Sequence, residues 1–259
     1  MSTILFDKIV FGPVRSRRLG VSLGMNLLPV DGKLCSFDCI YCECGLNEDR
    51  RTSTRLPTRE EVKEALIRKL AAMQEEGIAP DVITFAGNGE PTLHPQFGGI
   101  IDDTIATRNR FFPSAKIAVL SNSTLLHKEE VFRALNKIED NILKLDSVLD
   151  ERIRQINAPN SPAFTFDRLL QQLCRFEGNL IIQTMFLKGE LNGTPVDNTT
   201  EMEIEGWLKA LKQIKPKQVM IYTIDRETPV KGLKKVSKEE LEAIAGQARR
   251  EGFEVSVSA

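Results

Sequence analysis

Residues 81–92 read Asp-Val-Ile-Thr-Phe-Ala-Gly-Asn-Gly-Glu-Pro-Thr, a short apolar run that ends in a polar segment containing glycine. The run is rich in β-branched and large apolar residues and is too short for a helix, so it predicts a buried strand at Asp81–Ala86. Further strands are predicted elsewhere in the chain at about Val21–Leu28, Lys116–Leu120, Asn141–Leu145, Asn179–Phe186, Gln218–Ile224 and Phe253–Val257.

Amphipathic segments separate these strands. Behind a capping-box signature formed by Thr58 and Glu61, apolar residues recur at helical spacing, namely Val62, Leu66, Leu70 and Met73. Other helices are predicted around residues 204–211 and 241–248 and near Lys128–Ile138 and Phe166–Phe176. Alternating strands and helices are typical of a parallel sheet with crossover helices. We therefore expect an α/β fold, a partial (β/α)6 barrel of the TIM type with its helices outside.

The length of the chain indicates how many domains it forms. The 259 residues include 35 Lys and Arg against 36 Asp and Glu, which gives a formal net charge of −1. A barrel of this length is routinely one domain. We expect one domain over 1–259, in which 1–30 form an N-terminal extension and first strand, 31–226 the core barrel and 227–259 a C-terminal helix and strand.

Composition also bears on partners and location. The near-neutral balance argues against extensive charge-driven binding to nucleic acid, so we expect no DNA partner. No apolar run approaches the roughly 18 residues of a membrane span, and the N-terminus lacks the pattern of a secretory signal. We expect no membrane association and a cytoplasmic location.

Four of the five cysteines lie within ten residues. Residues 35–42 read Cys-Ser-Phe-Asp-Cys-Ile-Tyr-Cys, a C-x3-C-x2-C spacing that lets three thiolates converge on one inorganic centre. Structural zinc usually takes four ligands in two separated pairs, and Cys44 follows Cys42 closely for a single tetrahedron. An iron–sulfur cluster is usually held by four cysteines, so three would leave one iron open to a non-protein ligand. A non-catalytic zinc-binding scaffold is the alternative.

The C-x3-C-x-aromatic-C spacing, with Tyr41 as the aromatic residue, resembles the signature of the radical S-adenosylmethionine (SAM) superfamily. The resemblance implies a [4Fe-4S] cluster held by Cys35, Cys39 and Cys42, with SAM on the remaining iron. It implies reductive cleavage of SAM to methionine and a 5′-deoxyadenosyl radical, which abstracts hydrogen from a substrate. It also implies an electron donor of the flavodoxin or ferredoxin type.

Polar residues follow the predicted strands, where a TIM-type barrel places its active site. The segment Gly87–Glu90 looks like the superfamily's Gly-Gly-Glu motif with an inserted Asn88, and this likeness implies contact with the amino group of SAM. A plain glycine-rich turn is the alternative. Ser121, Asn122 and Ser123 resemble the polar positions by which the family holds SAM; capping of the next helix is the alternative there.

On the fourth predicted strand, alternation turns Lys144 and Asp146 to the same side, into the barrel. A charged pair pointing inward needs a partner or a ligand, and a purely structural ion pair is the alternative. Together with Tyr41, the predicted cofactor contacts are Gly87, Asn88, Gly89, Glu90, Ser121, Asn122, Ser123, Lys144 and Asp146.

Residues 11–28, together with the cysteine motif and Glu43-Cys44-Gly45, resemble a branch of the superfamily related to the tRNA wyosine synthases. Those enzymes carry further cysteines for a second cluster, whereas only Cys44 and Cys174 are left here. Cys174 is interpreted as a core residue, and Cys44 has no assigned role. Wyosine chemistry is therefore not expected, and a small anionic substrate is favoured over tRNA. A tRNA-modifying enzyme of the same branch is the alternative.

Arginine side chains in the N-terminal segment suit a carboxylate or phosphate, although surface ion pairing explains them equally well. Side chains on the fifth and sixth predicted strands could also reach a substrate. The candidate substrate contacts are Arg15, Arg17, Arg18, Gln183, Tyr222 and Arg226.

Overall fold

Strands and helices alternate through the chain in a computed structural model that describes residues 4–16, 19–48 and 55–259. The strands are β1 Val10–Ser16, β2 Gly20–Met25, β3 Val82–Phe85, β4 Lys116–Ser121, β5 Asp140–Lys144, β6 Ile181–Met185, β7 Leu187–Leu191, β8 Thr194–Asp197, β9 Gln218–Tyr222, β10 Lys234–Lys235 and β11 Val255–Ser258. The helices are α1 Arg59–Glu75, α2 Phe97–Phe111, α3 Glu129–Asn136, α4 Asp150–Asn157, α5 Phe166–Cys174, α6 Glu201–Ile214 and α7 Lys238–Arg250, and a 3-10 turn covers Pro91–Leu93.

The main sheet has the strand order β1-β2-β3-β4-β5-β6-β9-β11. Every neighbouring pair from β2 to β11 is parallel, whereas β1 pairs antiparallel with β2 at one edge. Strands β10, β7 and β8 form a small antiparallel sheet of their own. Within the described ranges, β1 and β11 are the two edges and do not pair. The expected partial barrel is confirmed: the sheet curls into a half-barrel with helices around it.

The predicted strands of the main sheet are present, but β1 was not predicted. Its sequence contains Gly12 and Pro13, and both residues disfavour a regular strand. The pairing of β1 with β2 shifts register between Phe11 and Val14, so the Gly-Pro step falls in an irregularity of the ladder. An edge strand tolerates such a break because only one of its sides is paired.

Helix α2 was also missed, because Gly98 and Gly99 in its first turn lower helix propensity. The structure shows why small residues suit these positions. A Cβ at Gly98 would lie 2.8 Å from Glu130 Oε1, and one at Gly99 would lie 2.6 Å from Arg59 Nη1. The two glycines thus let the side chains of Glu130 and Arg59 lie close to the first turn of α2.

Helix α1 agrees with its sequence pattern. Thr58 Oγ1 accepts from the Glu61 N–H at 3.2 Å, and Glu61 Oε2 accepts from the Thr58 N–H at 2.7 Å, so the capping box is formed. The four apolar residues predicted on one face are all buried. Burying a side chain of that size contributes about 1.5–3 kcal/mol, so tertiary packing and the cap together account for the helix.

Inside the barrel, five parallel strands each contribute one side chain to an apolar layer that forms its floor, and these side chains are Val82, Ala118, Ile142, Ile181 and Met220. Side chains alternate along a strand, so the residues two positions further on also point inward. On the last four of these strands those residues are Leu120, Lys144, Gln183 and Tyr222. On β5, β6 and β9 the apolar floor therefore gives way to polar side chains toward the carboxyl ends of the strands.

None of the helices in the described part of the chain combines the length and apolarity that a membrane crossing requires.

Candidate active site

A cavity of about 300 Å³ opens above the apolar floor, at the carboxyl ends of the parallel strands. This is the end of a TIM-type barrel at which active sites form. The sequence-predicted site residues that line it are Cys35, Cys39, Tyr41, Cys42, Gly87, Gly89, Glu90, Ser121, Asn122, Lys144, Gln183, Tyr222 and Arg226.

The three motif cysteines belong to one segment, residues 33–47, which we call the cluster loop. The loop is fixed on one side by the end of α4, because the N–H groups of Asp38 and Ile40 donate to the carbonyls of Asn157 and Ile156 at 2.8 and 3.0 Å. On the other side the Leu34 N–H donates to the carbonyl of Asn88 at 2.8 Å. Two parts of the barrel that are distant in sequence therefore hold the thiols at the cavity.

Sequence reasoning missed a buried lysine within the cluster loop. Lys33 is only 1% exposed, and its Nζ donates to Asp38 Oδ1 at 2.9 Å and to the Gly45 carbonyl at 3.1 Å. Burial opposes its charge, but the negative charge that Cys42, Cys35 and Asp38 carry when they are ionised outweighs burial and raises the pKa of Lys33. The lysine therefore stays protonated and supplies a positive charge beside the thiols. No local pattern indicated this residue, because lysine is mostly exposed and a lysine in a loop is expected at the surface.

The thiols differ in their electrostatic surroundings. Burial raises the pKa of Cys35 to about 12 and that of Cys39 to about 11. A hydrogen bond with the Cys44 side chain lowers the pKa of Cys42 and raises that of Cys44. Only thiolates bind metal, so metal binding at Cys35 and Cys39 must release protons and stabilises the charged form that burial disfavours.

The donor set suits an iron–sulfur cluster. Three thiols of one loop face one cavity, and two of them accept from side-chain amides: Asn122 Nδ2 lies 3.4 Å from Cys35 Sγ, and Asn157 Nδ2 lies 3.5 Å from Cys39 Sγ. Hydrogen bonds to the sulfurs are among the groups that tune such centres. Among the residues that the structure describes, no three Cys, His or carboxylate groups are arranged to hold a single metal ion.

The glycine segment after β3 packs against the cluster loop. Gly89 has a φ of +135°, and a Cβ there would lie 1.9 Å from the Leu34 carbonyl oxygen. At Gly87 a Cβ would lie 2.2 Å from Asn26 Oδ1. Both glycines are thus required for backbone packing, and both also line the cavity. Their contact with a ligand stays a prediction.

Glu90 joins the glycine segment to the end of β4. Its Oε1 accepts from the Thr92 N–H at 3.1 Å and from Ser121 Oγ at 2.9 Å, and its Oε2 accepts from the Asn122 N–H at 2.6 Å. Burial raises the pKa of this carboxyl group. The carboxylate orients two residues of the cavity wall, whereas its contact with an ammonium group stays a prediction.

Two of the predicted cofactor contacts point elsewhere. Asn88 is fully buried, accepts from the Phe6 N–H at 2.8 Å and donates to the Pro29 carbonyl at 2.7 Å. Ser123 has a φ of 70° and its N–H donates to Ser121 Oγ at 3.0 Å. Neither belongs to the cavity lining. The alternative for Ser123, capping of the next helix, is wrong, because the N-cap position of α3 is Lys128 and no side chain caps that helix.

Lys144 and Asp146 belong to a buried hydrogen-bonded group with Tyr41. Lys144 Nζ lies 2.7 Å from Tyr41 Oη, 3.4 Å from Tyr222 Oη and 3.5 Å from Asp146 Oδ2. Tyr41 Oη also donates to Asp146 Oδ2. Burial opposes the charge of Lys144, but Asp146 and the other neighbours outweigh it and raise the pKa of Lys144. Lys144 and Tyr41 face the cavity, whereas Asp146 lies behind them.

Of the three arginines predicted in the N-terminal segment as substrate contacts, the structure describes Arg15, and Arg15 lies away from this cavity. Arg15 is exposed on β1 and pairs with Val21 near the start of β2, at the opposite end of the barrel. The reason is the antiparallel direction of β1, which carries its last residues away from the carboxyl ends of the other strands. Arg17 and Arg18 lie outside the described residues. Arg226 does reach the cavity rim, where its Nη1 lies 2.9 Å from Glu43 Oε2.

The chain matches the Radical SAM superfamily over residues 30–197. It is 32% identical over 243 residues to a protein of Brachyspira hyodysenteriae described as GTPase Obg, a match that covers 92% of this chain and 33% of that protein. It is also 32% identical over 240 residues to a UPF0026 protein of Helicobacter pylori, covering 90% of this chain and 71% of the relative. The chain thus spans a third of the first relative and under three quarters of the second.

Solved structures show the same fold. A radical SAM methyltransferase from Sphaerobacter thermophilus superposes with a TM-score of 0.65 at 15% identity, covering 92% of this chain and 65% of that one. TYW1 with a lysine-pyruvate adduct bound superposes with a TM-score of 0.59 at 14% identity, covering 88% and 73%. Members of the matched family use a [4Fe-4S] cluster and SAM, and three cysteines at the mouth of a half-barrel fit that use. The chain belongs to the radical SAM superfamily of enzymes.

Proposed function

We propose that this chain abstracts hydrogen from a small anionic substrate bound in the cavity beside the cluster loop. The observation that carries the proposal is the shared lining: Cys35, Cys39 and Cys42 face the same cavity of about 300 Å³ as Lys144 and Gln183. When bound, the cluster and SAM supply the electron and the 5′-deoxyadenosyl radical of the family reaction. The chain itself binds and orients the reactants and excludes water.

The cavity wall supports an anionic substrate. Lys144 is a buried cation on the wall, and its side chain is 16% exposed. Arg226 adds a second cation at the rim, although Glu43 partly offsets its charge. A charge-assisted hydrogen bond from a buried ammonium group is among the stronger polar contacts that a small ligand can make.

Gln183 supports a ligand with hydrogen-bonding groups. It is 7% exposed and lines the cavity. A side-chain amide offers two N–H donors and one carbonyl acceptor, so it can bond to both donors and acceptors of a ligand. A small ligand would fit inside the cavity and reach Gln183, whereas a macromolecule would bind mainly through polar groups on the surface around it.

A tRNA substrate is the second candidate. Lys231, Lys234 and Lys235 are exposed, and Val230 next to them donates its N–H to the Ile40 carbonyl of the cluster loop at 3.4 Å. A basic edge beside the site could contact phosphates. Binding of tRNA that weakens steeply with salt would favour this candidate, because phosphate contacts release counterions. Binding that is weak at low salt would exclude it.

The proposed chemistry is tested on anaerobically reconstituted protein. We expect about four irons per chain and, with dithionite and SAM, formation of 5′-deoxyadenosine and methionine. Cys39→Ala should lose the product, whereas Cys174→Ala, far from the cavity, should retain it. Colourless protein that binds zinc in place of iron would contradict the proposal and support the zinc scaffold.

We propose that a cytoplasmic reductant of the flavodoxin or ferredoxin type delivers the electron. Replacing dithionite by a reduced flavodoxin or ferredoxin should sustain 5′-deoxyadenosine formation. A dependence on dithionite alone would count against this donor class.

A further inference from the structure

Asn157, the last residue of α4, touches the cysteine motif in two ways. Its backbone carbonyl accepts from the Asp38 N–H at 2.8 Å, so the cluster loop lies directly on it. Its side chain is 2% exposed and turns inward toward Cys39. The sequence separation from Cys39 is 118 residues, so no local motif connects the two.

The side-chain amide of Asn157 serves three acceptors. Its Nδ2 lies 2.7 Å from Asp146 Oδ2, 3.5 Å from Cys39 Sγ and 3.5 Å from Tyr41 Oη. An amide has two N–H groups. The short contact to Asp146 uses one of them, which leaves the second directed at the sulfur and the phenol oxygen.

Asp146 fixes the orientation of that amide. Its side chain is fully buried, its Oδ1 accepts from the Met185 N–H at 2.9 Å, and its Oδ2 accepts from both Tyr41 and Asn157. The carboxylate cannot rotate without losing these bonds. An acceptor held in this way keeps the N–H of Asn157 on Cys39, as outer residues orient the ligands of other metal centres.

The same hydrogen-bonded group ends at the cavity. Lys144 Nζ donates to Tyr41 Oη at 2.7 Å and lies 3.5 Å from Asp146 Oδ2. A continuous series of polar contacts thus runs from the Lys144 ammonium, through Tyr41 and Asp146, to Asn157 and the Cys39 thiol. Members of such a network polarise one another, so a change at one end is felt at the other.

We propose that Asn157 is a positioning residue that sets the reduction potential of the cluster through Cys39 and links that potential to Lys144 on the cavity wall. The inference rests on the proposed function, since it needs a cluster on the motif cysteines. Reduction adds a negative charge that the ligand sulfurs share, and an N–H directed at one sulfur stabilises the reduced form more than the oxidised form. Loss of that N–H therefore lowers the potential.

The first test compares Asn157→Leu with Asn160→Ala in a potentiometric titration followed by EPR. Asn160 is exposed three residues further along the same segment and serves as the matched control. In the leucine variant we expect the ratio of reduced to oxidised cluster at a fixed ambient potential to fall up to tenfold, which corresponds to about 59 mV for one electron. An unchanged potential at full iron content would overturn the proposal.

A double-mutant cycle tests the link to the cavity. Lys144→Met and Asn157→Leu are combined, and the midpoint potential is measured for both single variants and the double variant. Residues in one network give non-additive effects. Additive shifts would show that Lys144 and Asn157 act separately, and would overturn the link.

The Asn157→Leu variant could fail to hold iron. A spectroscopic measurement on protein that retains Asn157 tests the proposal in that event. With ¹⁵N-labelled asparagine, the reduced cluster should show a weak nitrogen hyperfine coupling in the absence of SAM. Asn122→Leu, which removes the amide near Cys35, should retain part of it. No asparagine coupling in that variant would overturn the proposal. Failure of wild-type protein and Asn160→Ala to form any cluster would instead refute the proposed function.

Discussion

At the scale of single residues, the site depends on close backbone approach and on buried charge. Gly89 lets the glycine segment lie against Leu34, and Lys33 supplies a positive charge inside the cluster loop. Glu90 joins two strand ends by hydrogen bonds from Ser121 and Asn122. These residues do not bind the cluster themselves. They fix the loop and the cavity wall around the three thiols.

Gly89→Ala tests the close approach. The added Cβ would lie 1.9 Å from the Leu34 carbonyl oxygen at a φ of +135°, so one backbone segment must move. We expect a loss of roughly 3 kcal/mol or more in the free energy of unfolding, measured by urea denaturation. Gly246→Ala is the control. Gly246 lies inside α7, and a Cβ there would lie 3.7 Å from the flexible end of Arg250, so this substitution should stabilise the fold by about 0.5–1 kcal/mol. Equal effects of the two substitutions would contradict the packing argument.

Glu90→Gln tests the buried carboxyl group through pH. Burial raises the pKa of Glu90 above its value in the unfolded chain, so its contribution to stability is fully present below the unfolded pKa and is lost as pH rises through the folded pKa. The difference in unfolding free energy, wild type minus variant, should therefore fall as pH increases from about 4.3. Urea titrations of the metal-free protein at several pH values measure it. A difference that rises with pH would refute this assignment.

At the scale of elements, caps and helix ends position the site. The capping box at Thr58 begins α1, and the carbonyls at the end of α4 hold the cluster loop. The loop needs such donors and acceptors because buried backbone groups must be paired. The cluster loop, which carries the three thiols, therefore forms backbone hydrogen bonds with the end of a helix and not with a neighbouring strand.

Thr58→Ala should remove the side-chain acceptor for the Glu61 N–H and cost about 1 kcal/mol in the free energy of unfolding. Thr58→Ser keeps a hydroxyl group and should stay close to wild type. Chemical denaturation followed by circular dichroism measures both. If the serine variant lost as much stability as the alanine variant, packing of the Thr58 methyl group rather than capping would explain the loss.

At the scale of the whole molecule, the half-barrel and the cluster should stabilise each other. The motif cysteines lie among segments at the ends of β3, β4, β5 and α4, so the folded chain holds the three thiols together in an arrangement that the unfolded chain lacks. A ligand that binds the folded state and not the unfolded one raises the stability of the fold by mass action.

We therefore expect reconstituted protein to melt at a higher temperature than the metal-free protein, measured anaerobically by differential scanning fluorimetry. Cys39→Ser should abolish most of this difference. Cys174→Ser, at the end of α5, should retain it, because that thiol is outside the cavity. Loss of the difference in Cys174→Ser, or its persistence in Cys39→Ser, would contradict the assigned ligand set.

Much of the fold follows from local patterns. Apolar runs predicted the strands of the parallel sheet, and a fixed spacing predicted the buried face of α1 and its cap. Strand β1 and helix α2 were not predicted, because Gly and Pro obscure the periodicity of their apolar residues. Both are stabilised by pairing or packing with distant segments, and a window of sequence does not contain those contacts.

Local patterns were enough to indicate the class of chemistry, through the family resemblance carried by the spacing of Cys35, Cys39 and Cys42. The alternation of strands and helices, which is also a local pattern, indicated the class of fold. The other residues that surround those thiols became evident in the folded chain. Folding buried Lys33 beside them, brought Asn157 to Cys39 and carried Arg15 to the opposite end of the barrel. The physical reason is that strand direction and long-range hydrogen bonds set these placements, and neither is contained in the spacing of nearby residues.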